Sequence, residues 1–128
     1  LKTLFSCTIE DFGVIPKRRS PNKARYKVGS PTWKYYQNRD ELAQLFAFKH
    51  KGEQITVPVT LSCVIHLAHR RVCDLDNLVG CLQDSLVVAG ILRDDSLIRE
   101  FDKCNMYQKA KGVERVVVSL KEYLEAKR

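Results

Sequence analysis

Three aspartates stand out for their spacing: Asp74 and Asp76 within Cys73-Asp74-Leu75-Asp76-Asn77-Leu78, and Asp95, preceded by Asp94, about twenty positions later. While the backbone is extended, residues two apart leave the same face, so Asp74 and Asp76 project together and Leu75 projects oppositely. Carboxylates about 5 Å apart repel by roughly 3 kcal/mol at an effective dielectric near 20. Such a pair needs a cation, a shared proton or open water. A divalent metal on hard oxygen ligands is the chemistry to test, because it supplies charge and geometry for phosphodiester hydrolysis. The bland reading is that one of the two caps the next helix. A cap needs only one carboxylate, which leaves the other to be explained.

The positive charge is also placed, not scattered. Lys17, Arg18, Arg19, Lys23, Arg25, Lys27, Lys34 and Arg39 succeed one another with no acid between them, in a chain of net charge +7. Tyr26, Trp33, Tyr35 and Tyr36 are interleaved with these cations. A polyanion, DNA or RNA, is the expected partner, and a solvated loop is the alternative. Arg70 and Arg71 carry further positive charge directly up to the acidic pair.

Several elements must position these groups. Thr3 to Ile9 is a strand with Thr3, Phe5, Cys7 and Ile9 on one face. The basic stretch 17–29 is expected to be a mobile loop. Ser30-Pro31 starts a helix, as N-cap and first helical residue. It runs to about His50, with Tyr35, Leu42, Leu45, Phe46 and Lys49 along one side and Gly52 as its stop. Ile55 to Leu67 alternates strictly and reads as one long strand, with Pro58 demoting its start to an edge or a bulge. Leu75, Leu78, Val79, Leu82, Leu86 and Ala89 mark the core face of a second helix that ends at Gly90. Gly80 inside it costs about 1 kcal/mol against alanine and implies a close approach on that side. Segments 97–107 and 113–120 read as a hairpin turning over 108–112, and 121–128 as a charged, helical tail. The prediction is an α+β fold: a small mixed sheet of about four strands with two main helices packed on it, in a single domain 1–128.

Five dispersed cysteines without a Cys-x-x-Cys pair favour reduced thiols, and no apolar run or basic-apolar leader suggests a membrane span or secretion, so a cytoplasmic protein is expected. Zinc on His66, His69 and Cys73 is disfavoured, since the two histidines fall on opposite strand faces and no fourth ligand is evident. A calcium loop starting at Asp74 fails at Leu78, Val79 and Ser85. An Asp-x-Asp glycosyltransferase site usually needs a larger nucleotide fold.

The combination Asp74-Leu75-Asp76-Asn77-Leu78, Asp84, Leu86, Gly90 and Asp94-Asp95 resembles the RusA family of Holliday junction resolvases. The likeness extends to the Pro16-Lys17-Arg18-Arg19 loop, the helix entered through Pro31 and the closing strands. It implies a homodimeric, magnesium-dependent endonuclease (manganese as an alternative ion) that cuts four-way junction DNA, with no organic cofactor and no membrane. It further implies that Asp74, Asp76 and Asp95 are catalytic and bind metal, with Asp94 alongside. Lys17, Arg18, Arg19, Lys23, Arg25, Lys27, Arg70 and Arg71 would contact DNA. One position departs: the family's lysine four residues after the second aspartate is here Gly80. Either another base serves, with Lys103, Lys109, Arg71 and Arg93 nearest in sequence, or the protein binds junctions without cutting them well. The aspartates are expected to converge in one pocket.

Overall fold

The computed structural model describes residues 1–18 and 27–124. Its elements are β1 (Thr3–Glu10), α1 (Pro31–Lys49), β2 (Val59–Leu67), α2 (Leu75–Val88), a 3-10 turn (Asp95–Leu97), β3 (Ile98–Gln108) and β4 (Arg115–Glu122). The four strands form one mixed sheet in the order β1-β4-β2-β3, with β2 and β3 parallel and the other pairs antiparallel. This is the expected α+β arrangement of a four-stranded sheet and two helices.

The period-2 patterns decide which face is buried. Phe5 pairs with Leu120 and Leu120 with Leu61; Ile9 pairs with Val116 and Val116 with Ile65. These rows run across three strands and all six residues are buried. α1 presents Tyr35, Leu42, Ala43 and Phe46 to the core, and α2 presents Leu78, Val79, Leu82 and Leu86. The Phe46 ring meets Phe5 edge-on, with centroids 5.9 Å apart. Each fully buried leucine contributes on the order of 2 kcal/mol.

Local signals hold at the helix ends. The Ser30 hydroxyl accepts the Trp33 N–H at 3.2 Å, so it caps α1 as its position ahead of Pro31 predicts. α1 stops at Lys49, where His50 turns extended. Gly90 adopts φ +76, the left-handed conformation expected after α2.

Four expectations are corrected. β3 and β4 do not form a hairpin: β2 lies between them, parallel to β3 and antiparallel to β4. Strand β2 is the most apolar, with alternate residues fully buried, and takes an interior position that leaves the polar β3 at the edge. The connection 109–114 passes over the end of β2, where the Lys109 and Lys111 N–H groups bond to the Leu67 and Ala68 carbonyls. β2 itself begins at Val59, just after Pro58; Ile55 makes only an isolated bridge to Leu92 and Val57 is exposed. Of the two readings of Pro58, edge or bulge, the second fits: the β2–β3 register shifts between Val59 and Thr60, directly after the residue that has no N–H to give. On α1, Leu45 is part-exposed and Lys49 exposed, because the core stripe passes through Ala43 instead. Lys121 and Glu122 belong to β4 rather than to a helical tail; 125–128 lie outside the described residues.

Candidate nucleic-acid and metal-binding site

Asp74 is the N-cap residue of α2 by its extended backbone (φ −89, ψ 131), yet its side chain makes no capping hydrogen bond. Asp76 sits in the first turn, and both aspartates are exposed. The capping explanation of Asp74 therefore fails, and its carboxylate oxygens remain available to a ligand. The preceding segment is fixed to the far end of β3: the Gln108 amide donates to the Arg71 carbonyl at 2.8 Å, and the Cys73 thiol lies 3.7 Å from the Met106 sulfur. Arg70 and Arg71 are exposed at this end. The 109–114 connection brings Lys109 and Lys111 to the same end through its bonds to Leu67 and Ala68. Lys111 was missed as a candidate for DNA contact, because a hairpin would have placed the turn without reference to β2.

Asp94 and Asp95 lie elsewhere. They precede Ile98, which pairs with Val59 at the opposite end of the sheet, and they come after the C-terminal end of α2. α2 has 14 residues, which is about 20 Å of helix between the two ends. The expected single pocket is thus not formed within one chain: among the described residues no group of three or more His, Cys, Asp or Glu side chains could hold a metal ion. The reason is topological. The crossover from β2 to the parallel β3 must travel the length of the sheet, and α2 does so, carrying Asp94 and Asp95 away from Asp74 and Asp76. Asp94 and Asp95 are both exposed. The Ser96 hydroxyl donates to Asp94, and this bond, aided by the N–H groups of Asp95 and Ser96, holds the Asp94 carboxyl below its ordinary value.

The basic stretch is anchored at its first residue. The Lys17 N–H bonds to the Asn77 carbonyl at 2.9 Å, and its ammonium lies 3.2 Å from Asp84 Oδ1. The second oxygen of Asp84 accepts the hydroxyl of Tyr35 at 2.6 Å. Tyr35 is buried, and burial pushes its hydroxyl well above the usual phenol range, reinforced by the Asp84 bond. Lys17, expected to belong to a mobile loop, is therefore held in place on α2. Arg18 and Lys27 are exposed; Arg19, Lys23 and Arg25 lie outside the described residues.

Gly80 is where the close approach inferred from sequence occurs. A Cβ there would stand 3.1 Å from Cδ and 3.4 Å from Cβ of Lys17. The side chain filling that face of α2 comes from Lys17, which sequence proximity to the acidic motif did not single out among the substitute bases.

The family model described as Endodeoxyribonuclease RusA matches residues 15–121. A crossover junction endodeoxyribonuclease RusA from Aquifex aeolicus (strain VF5) is 29% identical over 73 residues, covering 57% of this chain and 56% of that protein. The chain thus spans about half the length of the curated relative it matches. The family match takes in the basic anchor, both helices, the acidic segments and all but the first strand, and the chain belongs to the RusA endodeoxyribonuclease family.

Proposed function

We propose that this protein is a divalent-metal-dependent endonuclease of four-way DNA junctions that works as a homodimer, each acidic site drawing Asp74 and Asp76 from one copy and Asp95 (with Asp94 beside it) from the other. The observation that carries this reading is the uncapped, exposed Asp74 carboxylate, two residues from exposed Asp76, at the end of the fold that also holds Arg70, Arg71, Lys109, Lys111 and the backbone anchor of Lys17. Two hard, unengaged carboxylates fit magnesium, or manganese, better than a soft-ligand metal. When bound, the ion supplies positive charge against the phosphate oxygens and lowers the cost of forming a nucleophile from water. The aspartates hold and orient that charge. Arg70, Arg71 and the loop cations Lys17, Arg18, Arg19, Lys23, Arg25 and Lys27 hold the DNA backbone, so affinity falls steeply with salt.

Two copies are required on two grounds. Paired cuts in opposed strands need two sites related by symmetry. One chain also separates its acids by the length of α2. A two-fold axis perpendicular to α2 runs the two helices antiparallel, which sets the Asp95 end of each beside the Asp74 end of the other. Both sites are then completed at once.

The test is cleavage of a labelled four-way junction in magnesium against an EDTA control, with linear duplex as competitor. Metal-dependent paired incisions, with binding resistant to linear DNA, are expected. Asp76→Asn should abolish cutting and leave junction binding. Tight junction binding without any metal-dependent cleavage would make the protein a junction-binding scaffold; indifference between junction and duplex would remove junction selectivity altogether.

A further inference from the structure

The contact between Lys17 and Gly80 supports a more specific assignment, which rests on the nuclease reading of the Asp74–Asp76 end. Asp76, Gly80 and Asp84 are spaced four residues apart and share one face of α2. Lys17 crosses that face at its middle member, with Cδ 3.1 Å from where a Cβ of residue 80 would stand. Its backbone is fixed one residue from Asp76, through the 2.9 Å bond to the Asn77 carbonyl. The stem thus pivots over Gly80, one helical turn from each carboxylate, and the ammonium rests on Asp84 at 3.2 Å.

The two ends of that ion pair differ in freedom. Asp84 is held from beneath by the hydroxyl of buried Tyr35. The Lys17 side chain is about one-third exposed, at 32%. A pair open to water to this degree is worth little, so leaving it is cheap. A DNA phosphate brought to Asp74 and Asp76 adds a third negative group to two exposed carboxylates. That concentration of charge attracts an ammonium carried on a flexible stem along the same helix face.

We propose that Lys17 is a swinging cation: parked on Asp84 in the free protein, it moves its ammonium along the Gly80 face to the phosphate that is cut beside Asp76. Gly80 is the seat that makes the swing possible, since any side chain there would occupy the path of the stem. Among the cations of its segment, Lys17 then acts at the reacting phosphate itself, while the others grip flanking DNA.

The experiment measures single-turnover cleavage at saturating junction alongside junction affinity in the absence of cleavage. Lys17→Gln keeps a stem over Gly80 and removes the charge. Its cleavage rate should fall about 100-fold, as for loss of one preorganised electrostatic contact, while Kd changes less than about threefold, as for loss of one phosphate contact among several. Gly80→Val retains the lysine but fills its seat, and should lower the rate with Kd unchanged. Combining Gly80→Lys with Lys17→Ala, which clears the stem from that seat, returns an ammonium to the same helix face and should recover at least tenfold in rate over Lys17→Ala alone; thermal melts confirm that each variant is folded. A rate unaffected by Lys17→Gln, or a loss confined to Kd, overturns the proposal while the nuclease reading stands. If the unmodified protein cuts no junction in magnesium, the nuclease reading falls and the role of Lys17 falls with it.

Discussion

Mixing two inactive variants tests whether the acidic sites are shared between copies. Asp76→Asn disables one end of the site and Asp95→Asn the other. Within a chain these residues are separated by the 14 residues of α2, about 20 Å, too far for side chains to meet on one ion whose oxygen ligands stand near 2 Å. In a two-fold dimer that shares its sites, an Asp76→Asn copy joined to an Asp95→Asn copy has one site with both defects and one with neither. Co-refolding equal amounts gives roughly half heterodimers by random assortment, each with one intact site, so about a quarter of the wild-type sites are restored. Since each heterodimer cuts only one strand, the product is a nicked junction rather than two resolved duplexes, and denaturing and native gels separate these outcomes. A mixture of Asp74→Asn with Asp76→Asn, both at the same end, should restore nothing. Recovery in neither mixture, from variants that sediment as dimers, would refute shared sites; a monomer at micromolar concentration would do so sooner.

The packing sets further expectations. Tyr35→Phe removes the hydroxyl that donates to Asp84 at 2.6 Å; a hydrogen bond to a charged group is worth about 1.5–3 kcal/mol, and partial exposure of Asp84 puts the loss near the lower figure. Denaturant melts of Tyr35→Phe, Asp84→Asn and the double variant should give a coupling above about 1 kcal/mol, and additivity would mean the bond contributes nothing. Ser30→Ala removes the α1 cap and should cost about 1 kcal/mol, while Ser30→Gly should cost only a few tenths. Burial pushes the Cys81 thiol up to about 12, against an ordinary value of 9.0. The folded state thus keeps a proton that the unfolded chain releases above pH 9, so this contribution is intact below pH 9 and is lost as pH rises toward 12, by at most about 1.4 kcal/mol per pH unit. Melts at pH 8, 9.5 and 10.5 should show a shallower alkaline decline in Cys81→Ala than in the parent; equal slopes would show that the thiol does not titrate in this way.

What the sequence determined by itself is local or periodic. The Ser30-Pro31 start, the left-handed Gly90, the core stripe of α2 and the alternation of β1 and β2 depend on residues a few positions apart, and these emerge as read. So does the close approach at Gly80, although not the identity of what approaches. Strand order is a different kind of fact. Segments β3 and β4 are consecutive and alternate suitably for a hairpin, but the free energy gained by burying β2 on both edges places it between them, and no local signal carries that competition. The same topology decides the site. A parallel pair obliges its connecting helix to run the length of the sheet, so Asp74 and Asp95, joined by a single motif in sequence, are carried to opposite ends. Lys17 and Gly80 are 63 positions apart in the chain and in contact in the fold: a side chain can fill a vacancy on a helix from anywhere in the chain, and only packing decides which one does.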